Sequence, residues 1–333
     1  MIPGDTQSIL HGIPLFSELN PDELGEIVSL ARSRSFGEGQ TIFRQGDEAD
    51  GMYVIERGRV RISARVLGES EVELAVLGPG DVLGEFALVD RGGRSATAQA
   101  IEPSSGFFFS NRQFEVLRTD LRPAAFKTMR RISRELSERL HSLDREIDAR
   151  SGALTVRALP SWVHGPSSLL GDRVATESLD RRLLRVLPFF RSLVADELEE
   201  LLALLDAWQV PKGRIFFRQG SAGTSCFLIA RGAVQIALEK EAGVENLAVL
   251  GPGKMFGLSL MEAGVRTATC YARENAVVLE ICRGPFERLF DGSSSIAFKF
   301  FETLNETLIA QLRASDRQLG RLATQQRTPR EQS

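Results

Sequence analysis

The chain repeats itself at long range. Phe43-Arg44-Gln45-Gly46 returns as Phe217-Arg218-Gln219-Gly220, 174 positions later (217 − 43). Arg57-Gly58 returns as Arg231-Gly232 and Pro14 as Pro188 at the same offset, and Leu77-Gly78-Pro79-Gly80 returns as Leu250-Gly251-Pro252-Gly253 at 173 (250 − 77). Solenoid and propeller periods run to roughly 20–50 residues, so this spacing marks a duplicated domain rather than a stacked motif. The retained residues are those a tight turn needs, glycine for its left-handed backbone and proline for its fixed φ. With 333 residues, two domains of ordinary size fit the length.

Each copy alternates two kinds of pattern. Residues 10–36 read as helical, with Leu15, Phe16, Leu19, Leu24, Ile27, Val28 and Leu30 at helical spacing. Asn20 is placed to cap a helix that starts at Pro21 and carries acids in its first turn. From Gly37 to about Ser110 short strand-like runs alternate with glycine turns, closed by the apolar Phe107-Phe108-Phe109. Residues 112–148 return to helix, with a stripe of Phe126, Met129, Ile132, Leu136, Leu140, Leu143 and Ile147. Residues 149–178 hold Gly152, Pro160, Gly165, Pro166 and Gly171 and read as an irregular linker. The resulting layout is domain 1 over 10–148, linker 149–178, domain 2 over 179–322 and a disordered tail 323–333.

Within copy 1, Gly84-Glu85-Phe86-Ala87-Leu88 is followed by Arg94-Ser95-Ala96. Gly84 admits close approach of a ligand to the backbone. A helical turn after it would offer N–H groups to an anion. Arg94 brings a planar fork suited to two phosphate oxygens, and Glu85 an acceptor for a sugar hydroxyl. These residues closely resemble the phosphate-binding cassette of the cyclic nucleotide-binding domain family, which includes bacterial catabolite activator proteins and kinase regulatory subunits. The resemblance covers most of the chain, twice. It implies an α+β fold of two tandem jelly-roll-like β-rolls flanked by helices. It further implies that Glu85 binds the ribose 2′-hydroxyl, Arg94 the cyclic phosphate, and backbone amides near Ala87 and Ala96 complete the cradle. Ser95 suits either cAMP or cGMP, with cAMP favoured. The helix after the roll would close over the base.

Copy 2 departs from this pattern. Its cassette reads Gly257-Leu258-Ser259, then Arg266-Thr267-Ala268, with nine positions from glycine to arginine where copy 1 has ten. The missing residue is the acid, and Glu262 stands too far along to replace it. A charge-assisted hydrogen bond contributes roughly 1.5–3 kcal/mol, so this site is expected to be weak or silent toward a ribonucleotide, or to serve another anion.

Composition excludes other classes. A formal net charge of −3 argues against a nucleic-acid-coating surface. His11, His141 and His164 are scattered, and Cys226, Cys270 and Cys282 have no CxxC spacing, so neither a metal site nor a disulfide framework is expected. The N-terminus lacks a signal-peptide pattern and no apolar run suits a membrane span, which reads as cytoplasmic. No P-loop, kinase set or nucleophile elbow is present, which reads as a non-enzyme. Arg130-Arg131-Ile132-Ser133 resembles a kinase substrate site but lies on the apolar stripe. After the final stripe, Ile296 to Leu312, no helix-turn-helix domain fits, and the arginines from Arg313 onward read as a solvated end. The leading expectation is a cyclic nucleotide sensor that signals to an effector protein, with no metal, membrane or DNA partner. The alternatives are an interaction scaffold with relic sites and a transcriptional regulator acting through a partner. The apolar helix stripes suit either a homodimer or contact between the copies.

Overall fold

The structure, a computed structural model, describes residues 3–65, 71–90, 92–150, 171–240, 243–258, 264–291 and 294–327. It divides into two compact units, Met1–Glu135 and Leu136–Ser333.

In the first unit, helices α1 (Pro3–His11) and α2 (Pro21–Leu30) precede the strands. Asn20 and Glu23 form a reciprocal capping box at the start of α2, with Pro21 in the first turn, as the sequence predicts. The expected single helical region 10–36 is broken, however. A short 3-10 turn holds Pro14–Phe16, and Arg32–Phe36 is a strand, β1. Arg-Ser-Arg-Ser-Phe has little strand propensity of its own; it is recruited by antiparallel pairing with Ser104–Phe108. The remaining strands are β2 (Thr41–Phe43), β3 (Gly51–Arg57), β4 (Val60–Ala64), β5 (Val72–Leu77), β6 (Val82–Leu83), β7 (Thr97–Ala100) and β8 (Ser104–Ser110). They form two antiparallel sheets, ordered β1-β8-β3-β6 and β2-β7-β4-β5. Ile55, Val60, Leu83 and Ala98 pack as a core, joined by Ile42, Phe43, Tyr53 and Leu77.

Helices α3 (Asn111–Thr119) and α4 (Pro123–Arg150) follow the roll. The helical stretch read as continuous breaks between them, where Leu121 has φ 51° and Pro123 restarts the helix. Phe126, Met129, Ile132 and Leu136 of the stripe are buried, and so is Ser133, whose hydroxyl donates to the Met129 carbonyl. That burial removes Ser133 from the reach of a kinase. Ion pairs join α4 and the residue before it to the N-terminal segment: Lys127–Glu23 at 2.7 Å, Arg122–Glu26, and both Arg130 and Arg134 to Glu18.

The second unit repeats the plan. Strand β9 (Asp172–Val174) lies at the end of the stretch read as irregular and pairs with residues 207–209. Helices α5 (Arg181–Val186), α6 (Pro188–Arg191) and α7 (Ala195–Leu202) come next. Then follow β10 (Asp206–Val210), β11 (Ile215–Phe217), β12 (Ser225–Arg231), β13 (Val234–Lys240), β14 (Gly243–Leu250), β15 (Met255–Phe256), β16 (Thr269–Ala272) and β17 (Ala276–Cys282). The sheets are ordered β15-β12-β17-β10-β9 and β11-β16-β13-β14, the first copy's order with one strand added. Helix α8 (Arg283–Asp291) leads to α9 (Ser295–Arg327), which runs past Leu322, so residues 323–327 are helical rather than disordered tail.

The repeat is legible bond by bond. Gly46 N–H donates to the Arg94 carbonyl and Gly220 N–H to that of Arg266, both at 2.9 Å. Arg94 N–H donates to Asp47 and Arg266 N–H to Ser221, both at 2.8 Å. Gln45 and Gln219 amides each donate to a threonine hydroxyl, Thr97 and Thr269. The retained Arg-Gln-Gly tripeptide is thus the strap that fixes the backbone of each cassette arginine. Among the described residues no helix is long and apolar enough to cross a membrane.

Candidate functional site

Each cassette begins with a glycine that the geometry requires. Gly84 has φ 68° and ψ 36°, and the four residues after it, Glu85–Leu88, form a 3-10 turn. A Cβ at position 84 would overlap Nη1 of Arg94. The arginine therefore occupies the space a side chain would take, with Nη1 against the backbone of the turn. The sequence reading expects a ligand's close approach here; the group that fills the space is the protein's own guanidinium.

Arg94 is 5% exposed. Its guanidinium carbon stands 4.2 Å from the centroid of the Phe43 ring, and Nη2 donates to Asp50 at 2.8 Å. Nε and Nη1 are buried without a hydrogen-bond partner. Buried donors on a charged group cost on the order of 1–3 kcal/mol each when unsatisfied, and more where charge is involved. A fold keeps such a cost where an anion relieves it. Neither Phe43 nor Asp50 was singled out from sequence. Phe43 belongs to the repeated tetrapeptide and gave a signal of position without one of role. Asp50 lies 44 residues from Arg94 and gave none.

The other first-copy residues gather around this pair. Glu85 and Phe86 are half-buried at the start of the turn, Ala87 and Ala96 are buried, and Ser95 is exposed. The N–H of Ala87, expected to face a ligand, donates instead to the Gly84 carbonyl at 3.0 Å. A turn this tight consumes that amide internally.

In the second copy, Gly257 has φ 77°, and a Cβ there would stand 2.7 Å from Nη1 of Arg266. Arg266 is 3% exposed and lies 3.9 Å over the Phe217 ring. The glycine–arginine contact is thus kept although one residue fewer separates them. What differs is the partner. Thr224 occupies the position of Asp50, and Arg266 donates to two backbone carbonyls, Gly257 at 2.6 Å and Ser225 at 2.5 Å. Burial pushes its guanidinium below the usual arginine range. Leu258, 6% exposed, follows the glycine where copy 1 has Glu85. Thr267 is exposed and Ala268 buried, matching Ser95 and Ala96. Ser259 lies outside the described residues, as does Glu262.

Among the described residues one group of potential metal ligands comes together, Asp206, Glu280 and Cys282. Asp206 is paired with Arg173 and Glu280 accepts from Trp208, so both carboxylates are already engaged. The cysteines are free thiols; burial pushes Cys226 up to about 12 and raises Cys270 as well, which keeps both neutral and inert.

A model of the cyclic nucleotide-binding domain family matches residues 33–120 and 207–293, one segment in each roll. The chain belongs to the cyclic nucleotide-binding domain family. The cyclic AMP receptor protein of Thermus thermophilus is 34% identical over 139 residues, covering 42% of this chain and 62% of that protein. A cAMP-dependent protein kinase regulatory subunit of Yarrowia lipolytica is 24% identical over 284 residues, covering 85% of this chain and 60% of that protein. The crystal structure of the Thermus thermophilus catabolite activator protein is 35% identical, with a TM-score of 0.38, and the match covers 41% of this chain and 63% of that one. The chain therefore spans less than two thirds of the length of these relatives.

Proposed function

We propose that the protein is a regulatory cyclic nucleotide sensor that takes its ligand, cAMP ahead of cGMP, in the first copy. The observation that carries this reading is Arg94, a buried cation with two buried donors and no partner for either. Asp50 holds Nη2, and the buried Nε and Nη1, on opposite edges of the guanidinium, are left as donors that a phosphate would satisfy. Glu85, at the start of the turn, accepts from the ribose 2′-hydroxyl.

Binding would act through α4. The first half of its apolar stripe is buried, and Lys127, Arg130 and Arg134 are tied to Glu23 and Glu18, so a ligand that shifts the cassette would act on a helix anchored at its start. The helix then presents a different face to an effector protein, to the extent that the nucleotide prefers one arrangement over the other. The chain acts as a receptor rather than a catalyst.

The test is a thermal melt with nucleotide. Ligand at 100 times Kd stabilises the native state by about 2.7 kcal/mol, so cAMP should raise Tm by several degrees and Arg94→Ala should remove the shift. No shift with either cAMP or cGMP would refute the reading and favour a scaffold role.

A further inference from the structure

The second copy carries a half-open pocket of about 190 Å³ beside its cassette. Its walls are mostly hydrocarbon, including Phe217, Ile236, Leu250, Phe256 and Leu258. Arg266 and Thr267 bring polar groups from the cassette, and Gln311 and Ser315 bring them from α9. Gln311, Ala314 and Ser315 sit at i, i+3 and i+4, so a single face of that helix forms one wall of the pocket, and Leu140 of α4 adds to the lining.

Two features set the chemistry of an occupant. Leu258 is a cavity wall at the place where the first copy has Glu85, so a ribose there would meet a methyl group in place of an acceptor. Arg266, 3% exposed, is a cation held against an aromatic ring, and burial already disfavours its charge. An anion beside it restores what desolvation removes. Size sets the rest: an apolar cavity of about 150 Å³ holds a benzene-sized molecule, so this one holds a single ring or a short chain with a head group.

We propose that the second cavity binds a small apolar monocarboxylate, its carboxylate against Arg266 and Thr267 and its hydrocarbon against Phe217, Leu250 and Leu258, in place of a nucleotide. An arylalkanoic acid and a medium-chain fatty acid present this same chemistry. The site works independently of nucleotide binding in the first copy.

The experiment is calorimetric titration of the full chain with 3-phenylpropionate and with octanoate, each beside its uncharged alcohol. We expect at least one acid to saturate at one per chain, with its alcohol at least tenfold weaker, and the tighter acid identifies the source. Leu258→Glu, which sets a second negative charge in the cavity, should weaken the acid at least tenfold. Ala314→Trp, at an exposed position on α9, should block the cavity while leaving the melt cooperative. cAMP should not displace the acid. The proposal is overturned if neither acid saturates, if acid and alcohol bind alike, or if Ala314→Trp leaves acid binding intact. It is overturned equally if cAMP competes with the acid in an Arg94→Ala background. Because that background lacks the first site, failure here is distinguishable from failure of the sensor reading.

Discussion

Replacing Gly84 with alanine separates what the fold needs from what the site needs. The new residue would sit at φ 68°, where an L side chain costs about 1–2 kcal/mol. Its Cβ would also overlap Nη1 of Arg94. That atom ends a flexible side chain, so the clash is relieved by moving the guanidinium, at little further cost to the fold. The move matters to a ligand, because it withdraws a charge-assisted hydrogen bond worth about 1.5–3 kcal/mol, or about 10- to 150-fold in affinity. Gly39→Ala supplies the control: φ there is 76° and a Cβ would meet nothing within 4 Å. Both variants should lose similar stability, roughly 2–4 °C in Tm per kcal/mol for a unit of this size. Only Gly84→Ala should lose nucleotide affinity by calorimetry. Wild-type affinity in Gly84→Ala, or an equal loss in Gly39→Ala, would refute the argument that the glycine is there to seat the arginine.

Further outcomes follow from the same geometry. Glu85→Ala should bind cAMP about tenfold more weakly or worse and should no longer distinguish it from its 2′-deoxy analogue, whereas the wild type should. Glu18→Ala should lower stability by about 1 kcal/mol by releasing Arg130 and Arg134 from the N-terminal segment, read from denaturant melts. Burial raises the Glu18 carboxyl, but bonds and charges from those arginines more than offset it and hold it below its ordinary value. Its contribution is therefore present above about pH 4.5 and is lost as pH falls through the depressed value. At the alkaline end Cys226, raised from 9.0 to about 12, contributes stability that is complete below pH 9 and lost as pH rises toward 12; Cys226→Val should flatten that limb of the curve. Cys282, only partly buried, should react first with a thiol reagent.

How much of this was legible in the sequence depends on the range of the interaction that decides each feature. The capping box at Asn20 and Glu23 is local and was readable. The duplication was readable because turn glycines and the Arg-Gln-Gly strap depend on backbone geometry, which both copies share. That Gly84 and Arg94 belong to one cassette came from spacing together with resemblance; their direct contact did not. Strand β1 was not readable, since its partner strand β8 begins 68 positions after it ends (104 − 36). Asp50 and the ring beneath Arg94 were missed for the same reason: folding, not spacing, brings them to the guanidinium. The bond of the Ala87 amide to Gly84 was not readable, because a 3-10 turn, unlike the first turn of an α-helix, bonds that amide internally. In copy 2 the loss of the acid was readable. That Leu258 would line a pocket was not, because α9 supplies another wall from more than fifty residues away (311 − 258).

Calorimetric titration of cAMP and of cGMP into the wild type, Arg94→Ala and Arg266→Ala tests the central claim most directly. The account predicts one nucleotide per chain, tighter for cAMP, with binding lost in Arg94→Ala and retained in Arg266→Ala. Two nucleotides per chain, or binding that survives Arg94→Ala and disappears with Arg266→Ala, would contradict it.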